Sequence, residues 1–302
     1  MNGMLTKLKS LFEDPPPEFA FEIAADGIAM SRTRPPAVAQ HVPIAPGVIV
    51  PSPLKDNVTD PEAFAEAVRK LVPPTSGRGR RTAALILPDN SIRLAVADFE
   101  SIPAKEEERL ALVKFRLRKT LPFDIDEAAL SYHVQHGNKV VAAITPSDIV
   151  ARYEAPFRAA GLDPGFVTSS SLALLELLPV TGSLLVAHRG PGSLTVLAVR
   201  EGVLTLARSL ELTVHTEGSA AANELAEISA DLYPTLVYIE DQTGSRPEKL
   251  ILAGFGATSD TAAARLSAEL DLPAEALDDP YPGLAGYLKS LSTGIARQKV
   301  AA

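Results

Sequence analysis

His133 and His136 are the residues whose types and spacing most suggest metal chemistry. A shared ion needs both imidazoles on one side of the backbone. Ala129 to Gln135 reads as a strand, where residues three apart point to opposite faces, so no metal site is expected. His41, His188 and His215 stand alone in the sequence. Ser169, Ser170 and Ser171 have no base placed beside them, and a helix N-cap is the expected role for this run. Gly190-Pro191-Gly192-Ser193 lacks the Gly-x-Ser-x-Gly order of a nucleophile elbow. Asp278-Asp279, and the group Asp124, Asp126 and Glu127, read as solvated loop acids rather than a catalytic pair. Neither a Walker loop nor a His-Glu-x-x-His motif occurs. With no cysteine in 302 residues, disulfides, thiolate zinc sites and cysteine nucleophiles are excluded, a composition that fits a reducing cytoplasm. The expectation from these residues is no catalytic group and no metal.

The formal net charge of -8 argues against a nucleic-acid partner. Arg78, Arg80 and Arg81, interleaved with Gly77 and Gly79, read as a solvated loop. No stretch reaches the ~18 consecutive apolar residues of a membrane span, and the N-terminus shows no export signal. It does carry an amphipathic stretch, Met4 to Phe12, with Leu5, Leu8 and Phe12 on one helical face and Lys7 and Lys9 beside it. Such a segment can rest on a membrane surface or a partner, or pack on its own domain. Pro15-Pro16-Pro17 then acts as a stiff spacer.

These residues need elements to position them. Phe19 to Met30 reads as a strand and turn, with Asp26-Gly27 as the turn signal. Ile44 to Val50 is a second extended piece. Asp60 is an N-cap with Pro61 at the first helical position, and Phe64, Ala67, Val68 and Leu71 give helical spacing. Ala83 to Leu87 reads as an apolar strand that turns at Pro88-Asp89-Asn90 and returns as Ser91 to Phe99. Ile102 to Leu121 is a helix with acids at its start and bases at its end, and an apolar stripe of Leu110, Val113 and Leu117. Ala129 to Gln135 and Lys139 to Thr145 pair as strands. Asp148 to Ala160 is an amphipathic helix stopped by Gly161. Phe166-Val167 is a short strand and Leu172 to Leu178 a helix. Leu184 to Ala187, Leu194 to Val199 and Val203 to Leu210 are strands, the last two joined at Glu201-Gly202. A long helix from Ala220 to about Asp241, kinked at Pro234, precedes the buried strand Leu250 to Ala253. The whole is a mixed α/β chain of two comparable halves, divided near Pro179–Gly182.

The segment from Leu87 to Tyr132 carries a family resemblance. It reads Leu87-Pro88-Asp89-Asn90, a strand, acids, and then Lys114 to Glu127 with Leu121-Pro122-Phe123 at its centre. This resembles the PilM family of type IV pilus assembly proteins. Val140 to Ala143, Arg158 to Leu162, Ser171 to Leu175 and Leu250 to Gly254 continue the likeness, which covers most of Phe19 to Ile295. It implies an actin-like (ribonuclease H-like) two-lobed fold with an FtsA-type extra subdomain in the first lobe. The expected division is a leader at 1–17, a lobe I core at 18–82 with 161–180, an inserted subdomain at 83–160 and lobe II at 181–302. It implies a protein at the cytoplasmic inner face of the inner membrane, bound to the tail of a PilN-like membrane protein and, through it, to other pilus platform and motor proteins. The related GspL secretion proteins continue into a membrane helix, whereas this chain ends just after Gln298-Lys299-Val300, making that alternative the weaker expectation. The partner groove is expected on the strands carrying Leu85 and Leu87 and Arg93 and Val96, since peptides commonly dock beside sheets; the alternative is that these strands are core.

The resemblance also fixes what is missing. The family's first phosphate loop looks like Asp-Ile-Gly followed later by Lys; here the aligned residues are Glu22, Ile23, Ala24 and Ala29. A methyl group at Ala24 obstructs the backbone approach that glycine permits, and the lost lysine removes a phosphate-neutralising charge. The second loop is aligned as Ala187-His188-Arg189-Gly190, so Ala187 would replace the magnesium carboxylate and Arg189 a glycine. Thr168 also stands where a carboxylate is usual. The adenosine turn is reduced to Gly254-Phe255-Gly256. These losses lead to the expectation of a pseudo-ATPase scaffold with no cofactor beyond weak ATP binding. An ATP-binding switch is the alternative.

Overall fold

The computed structural model describes residues 16–74, 81–213 and 220–293. The amphipathic stretch at 4–12, Pro15, Arg78 and Arg80 lie outside the described residues. Lobe I opens with β1 (Phe19–Ala24), β2 (Gly27–Arg32) and β3 (Gln40–Pro43), then α1 (Pro61–Leu71) and β4 (Arg81–Leu87). The extra subdomain comprises β5 (Arg93–Asp98), α2 (Glu106–Leu117), β6 (Ala128–Val134) and β7 (Lys139–Pro146). The chain returns to lobe I through α3 (Ser147–Ala159), β8 (Leu162–Ser169) and α4 (Ser170–Leu174). Lobe II holds β9 (Ser183–Gly190), β10 (Ser193–Arg200), β11 (Val203–Glu211), α5 (Ala220–Thr243), β12 (Lys249–Ala253), α6 (Ser259–Leu270) and β13 (Ala274–Ala276). A last helix, α7 (Pro282–Thr293), follows.

Two five-stranded sheets share one topology. Their orders are β3-β2-β1-β4-β8 and β11-β10-β9-β12-β13. In each, the first strand of the lobe pairs antiparallel with its hairpin mate and parallel with the later strand. The two halves seen as comparable in the sequence are thus the same sheet built twice.

Local chemistry explains many of the elements. The Asp60 carboxylate accepts from the Ala63 amide at 3.0 Å, and Pro61 occupies the first helical position of α1. Such a cap contributes about 1 kcal/mol. Phe64, Ala67, Val68 and Leu71 form the buried face of α1. The β10–β11 turn sets Glu201 at φ 50° and Gly202 at φ 74°, the left-handed pair of a tight hairpin.

Three expectations are corrected. The strands at Ala83–Leu87 and Ser91–Phe99 do not form a hairpin. Residues Ala83 to Leu87 of β4 are 0% exposed, and β4 lies between β1 and β8, both parallel to it. A continuous apolar run suits a strand buried on both faces. The alternating β5 instead joins the separate sheet β5-β7-β6. The inserted subdomain therefore does not begin at residue 83. It does not extend to 160 either, because α3 sends Ile149, Tyr153 and Phe157 into the lobe I core beside α1. Finally, α7 belongs with lobe I rather than lobe II: Leu284 and Tyr287 pack with Ala20, Ala84 and Ile86. A Cβ at Gly286 would lie 2.0 Å from the Ala173 carbonyl oxygen, so glycine alone allows α7 this close to α4.

The largest apolar cluster crosses between the lobes. Phe21, Leu85, Leu87 and Tyr153 of lobe I belong to the same cluster as Val186, Leu197, Ile251 and Ala253 of lobe II.

Candidate functional site

The hairpins β1–β2 and β9–β10 meet a common cleft. The last paired residues are Ala24 with Gly27 in the first and Gly190 with Ser193 in the second, each closing a two-residue turn. Counting back two residues from either turn reaches Glu22 and His188. These are therefore equivalent positions on the two sheets, and both line the cleft, which encloses about 360 Å³. Ala24, Ala29, Arg189, Gly190 and Gly254 also line it, together with Asp26, His41, Asp89, Ser170, Ser193 and Tyr281.

This register corrects the expected reading of the second loop. Ala187 packs among Leu185, Leu194 and Val196 in the lobe II core, on the opposite side of β9 from the cleft. The cleft-facing residue is His188, and the frame that matches Glu22-Ile23-Ala24 is His188-Arg189-Gly190. Arg189 is not a misplaced glycine but the middle residue of that frame. Its guanidinium forks onto the Glu224 carboxylate of α5, Nε to Oε1 and Nη2 to Oε2 at 3.1 Å.

His188, isolated in the sequence, has partners across the cleft. Its Nδ1 lies 2.7 Å from Asp89 Oδ2 and 3.0 Å from the Ser171 hydroxyl. Asp89 follows β4 in a 3-10 turn, and Ser171 lies in the first turn of α4, so lobe I supplies both. The Ser171 amide donates to Asp89 Oδ1 at 2.8 Å, and its hydroxyl donates to Asp89 Oδ2. Burial alone would push Asp89 up. The His188 charge and the hydrogen bonds from His188 and Ser171 outweigh it and hold the carboxyl below its ordinary range. Burial alone would push His188 down. The Asp89 charge and hydrogen bond, with a smaller contribution from Glu22, outweigh it and raise the imidazole. Both directions favour the charged form of the pair, with the Nδ1 proton donated to Asp89.

Glu22 is satisfied differently. The Ser170 hydroxyl donates to Oε1, and the Leu284 amide, in the first turn of α7, donates to Oε2 at 2.9 Å. A carboxylate at a helix N-terminus sits in the favourable end of the helix field. Burial still dominates and raises Glu22 above the usual carboxylate range, against the Ser170 and Leu284 hydrogen bonds and the His188 charge. Ala29 is the direct cross-strand neighbour of Glu22, so no ammonium stands there. On the other sheet Thr195 is the cross-strand neighbour of His188, and its buried hydroxyl has no partner among the described residues.

The remaining expected residues fall elsewhere. Gly254 has φ 78°, and a Cβ there would lie 2.2 Å from the Arg189 carbonyl oxygen, so this turn closes directly on β9. Gly256, φ 54°, starts a 3-10 turn and does not line the cleft. Leu85 and Leu87 are fully buried within the lobe I sheet, whereas Arg93 is exposed and Val96 half-buried on the other sheet. These four do not share one face, and β4 has no free edge, so the groove expected on them is not assembled. Ser169 takes the expected N-cap role, accepting from the Leu172 amide at 3.2 Å. Among the described residues no group of three His, Asp or Glu side chains could hold a metal.

No family model matches the sequence, and no curated protein matches it. Solved structures do. A chain of the PilM–PilN type IV pilus biogenesis complex superposes with a TM-score of 0.73 at 21% identity, covering 93% of this chain and 99% of that one. A protein from Bacteroides thetaiotaomicron, described as having an actin-like ATPase fold and unknown function, superposes at 0.52 with 13% identity over 89% and 94% of the two chains. The fold is actin-like. The cytoplasmic domain of EpsL, an inner membrane component of the type II secretion system of Vibrio cholerae, is also similar, with a TM-score of 0.53 and 11% identity over 91% and 94%. The two lobes with matching sheets, the cleft between them and the small subdomain inserted in lobe I are the parts of an actin-like fold. Among the described residues no helix is long and apolar enough to cross a membrane.

Proposed function

We propose that this protein is a non-hydrolysing scaffold of a type IV pilus inner-membrane platform, held at the cytoplasmic face by the tail of a PilN-like membrane protein. The observation that carries the non-hydrolysing part is the engagement of the cleft's basic residues by protein partners. A triphosphate needs cations and a magnesium carboxylate. Of the basic residues lining the cleft, His188 is engaged by Asp89, Arg189 is forked to Glu224, and His41 stacks on Tyr281 with ring centroids 5.7 Å apart. Among the described residues no lysine lines the cleft, while Asp26, Glu22 and Asp89 supply carboxyl groups to its wall. Adding a triphosphate would place like charge beside these acids, while the His188 and Arg189 cations are already engaged by Asp89 and Glu224.

The partner part is supported by the extent of the likeness to the PilM–PilN complex, nearly end to end on both chains. The similarity to the EpsL cytoplasmic domain favours a second reading, a secretion-system component built on the same frame. A fluorescent peptide copying the cytoplasmic tail of a PilN-like protein from the same organism separates the two. Saturable micromolar binding is expected from anisotropy titration. Absence of binding at high micromolar concentrations contradicts the pilus reading.

A further inference from the structure

A ligand held between two lobes can set how far they close. Here side chains span the same gap. Asp89 and Ser171 belong to lobe I and His188 to lobe II, so the buried triad is a bond between lobes. A separate contact joins the extra subdomain to lobe II. The Gln135 side-chain amide donates to the Leu204 carbonyl at 2.9 Å and accepts from the Leu204 amide at 2.8 Å. Leu204 lies on β11, the edge strand of its sheet, so Gln135 supplies the two hydrogen bonds a neighbouring strand would have made. Between these contacts the apolar cluster is continuous across the lobes.

We propose that the Asp89–His188 bridge, assisted by the Gln135–Leu204 clamp, takes over the role of a nucleotide and holds the lobes closed in the absence of any ligand. The inference rests on the cleft reading above for its premise that nucleotide is absent, and is independent of the pilus partner. Closure then has its own release. The groups facing His188 are Asp89 from the turn after β4, Ser171 from α4, Glu22 from β1 and Thr195 from β10. None is a base that would repel the imidazolium. The two carboxylates hold its proton. The bridge is complete below the unfolded histidine pKa and is lost as pH rises through the raised folded value. On the acid side it is lost as pH falls through the depressed value of Asp89.

The chain has no cysteine, so two spin labels can be placed without background. Glu66 on α1 and Asp241 on α5 are exposed and lie in opposite lobes. With Glu66→Cys and Asp241→Cys labelled in the full-length chain, pulsed electron resonance reads the distance between lobes. A single narrow distribution at neutral pH, unchanged by millimolar ATP and magnesium, is expected. Asp89→Asn, which keeps a hydrogen-bonding acceptor for Ser171 and removes the charge, should broaden it, as should His188→Ala. Gln135→Ala should broaden it less. Folded variants that keep the original distribution overturn the proposal, as does a wild-type distribution that narrows on adding nucleotide. Should either bridge variant fail to fold, the parent labelled protein is measured at alkaline pH instead: broadening before unfolding supports the bridge, and an unchanged width up to unfolding overturns it. Phosphate release would defeat the non-hydrolysing reading and the premise that nucleotide is absent, whereas unchanged distances in the bridge variants defeat the bridge alone.

Discussion

The hairpins β1–β2 and β9–β10 present the same backbone frame to the same cleft, yet their key residues are opposite in charge and satisfied by opposite strategies. Glu22 is answered within its own lobe, by the Ser170 hydroxyl and the first turn of α7. His188 is answered only across the cleft, by Asp89 and Ser171. The acid is therefore part of lobe I's architecture, while the base ties one lobe to the other. The same hairpin frame thus carries an acid bound within its own lobe on one sheet and a base bound across the cleft on the other.

Breaking the bridge should have the larger effect. Asp89→Ala removes both the counter-charge and the hydrogen-bond acceptor of the buried His188 and Ser171, a loss of up to about 3–5 kcal/mol by analogy with broken buried pairs. Urea unfolding of the variant measures it, and a loss under about 1 kcal/mol would mean that the bridge contributes little. Next comes the support of Glu22. Gly286→Ala forces α7 away from the Ala173 carbonyl, and overpacking of this kind costs about 1–3 kcal/mol. If α7 delivers the Leu284 amide to Glu22, the variant should also weaken the protection of that amide in hydrogen exchange. The pH profile sharpens the contrast between the two sides. Glu22, whose folded pKa is raised, favours the folded state most below the ordinary glutamate range, and that benefit is lost as pH rises through its folded value. The bridge is complete below the unfolded histidine pKa and fails as pH rises through the raised folded value and His188 loses its proton. Denaturation midpoints against pH should therefore lose their alkaline limb in His188→Ala and keep it in Glu22→Gln. The smallest effect is expected from Glu22→Gln itself, within about 1 kcal/mol at neutral pH, because the amide oxygen can still accept from Leu284 and no buried charge is required.

Much of the frame was legible because its signals are local. Asp26-Gly27, the Asp60-Pro61 cap and Glu201-Gly202 each announce an element within a few residues. Partner choice between strands was not local. The apolar run of β4 looked like one arm of a hairpin with β5, yet its burial on both faces requires parallel neighbours that lie far away in sequence. The return of α7 to lobe I was hidden for the same reason. In the site, Glu22, Gly190 and Gly254 were reached through the family resemblance, whereas His188 appeared solitary because its partner Asp89 is 99 residues away. The one available signal was the repeat itself: a polar residue two positions before each tight turn. Using it would also have moved the second-loop frame from Ala187 to His188.

The central claim is that the cleft's two strongest cations, His188 and Arg189, are engaged by Asp89 and Glu224 and so do not receive a triphosphate. Isothermal calorimetry of the full-length chain with magnesium and ATP, followed by phosphate release on the same sample, tests it most directly. No saturable heat and no phosphate above the buffer rate are expected. Stoichiometric binding in the micromolar range, or steady turnover, would contradict it.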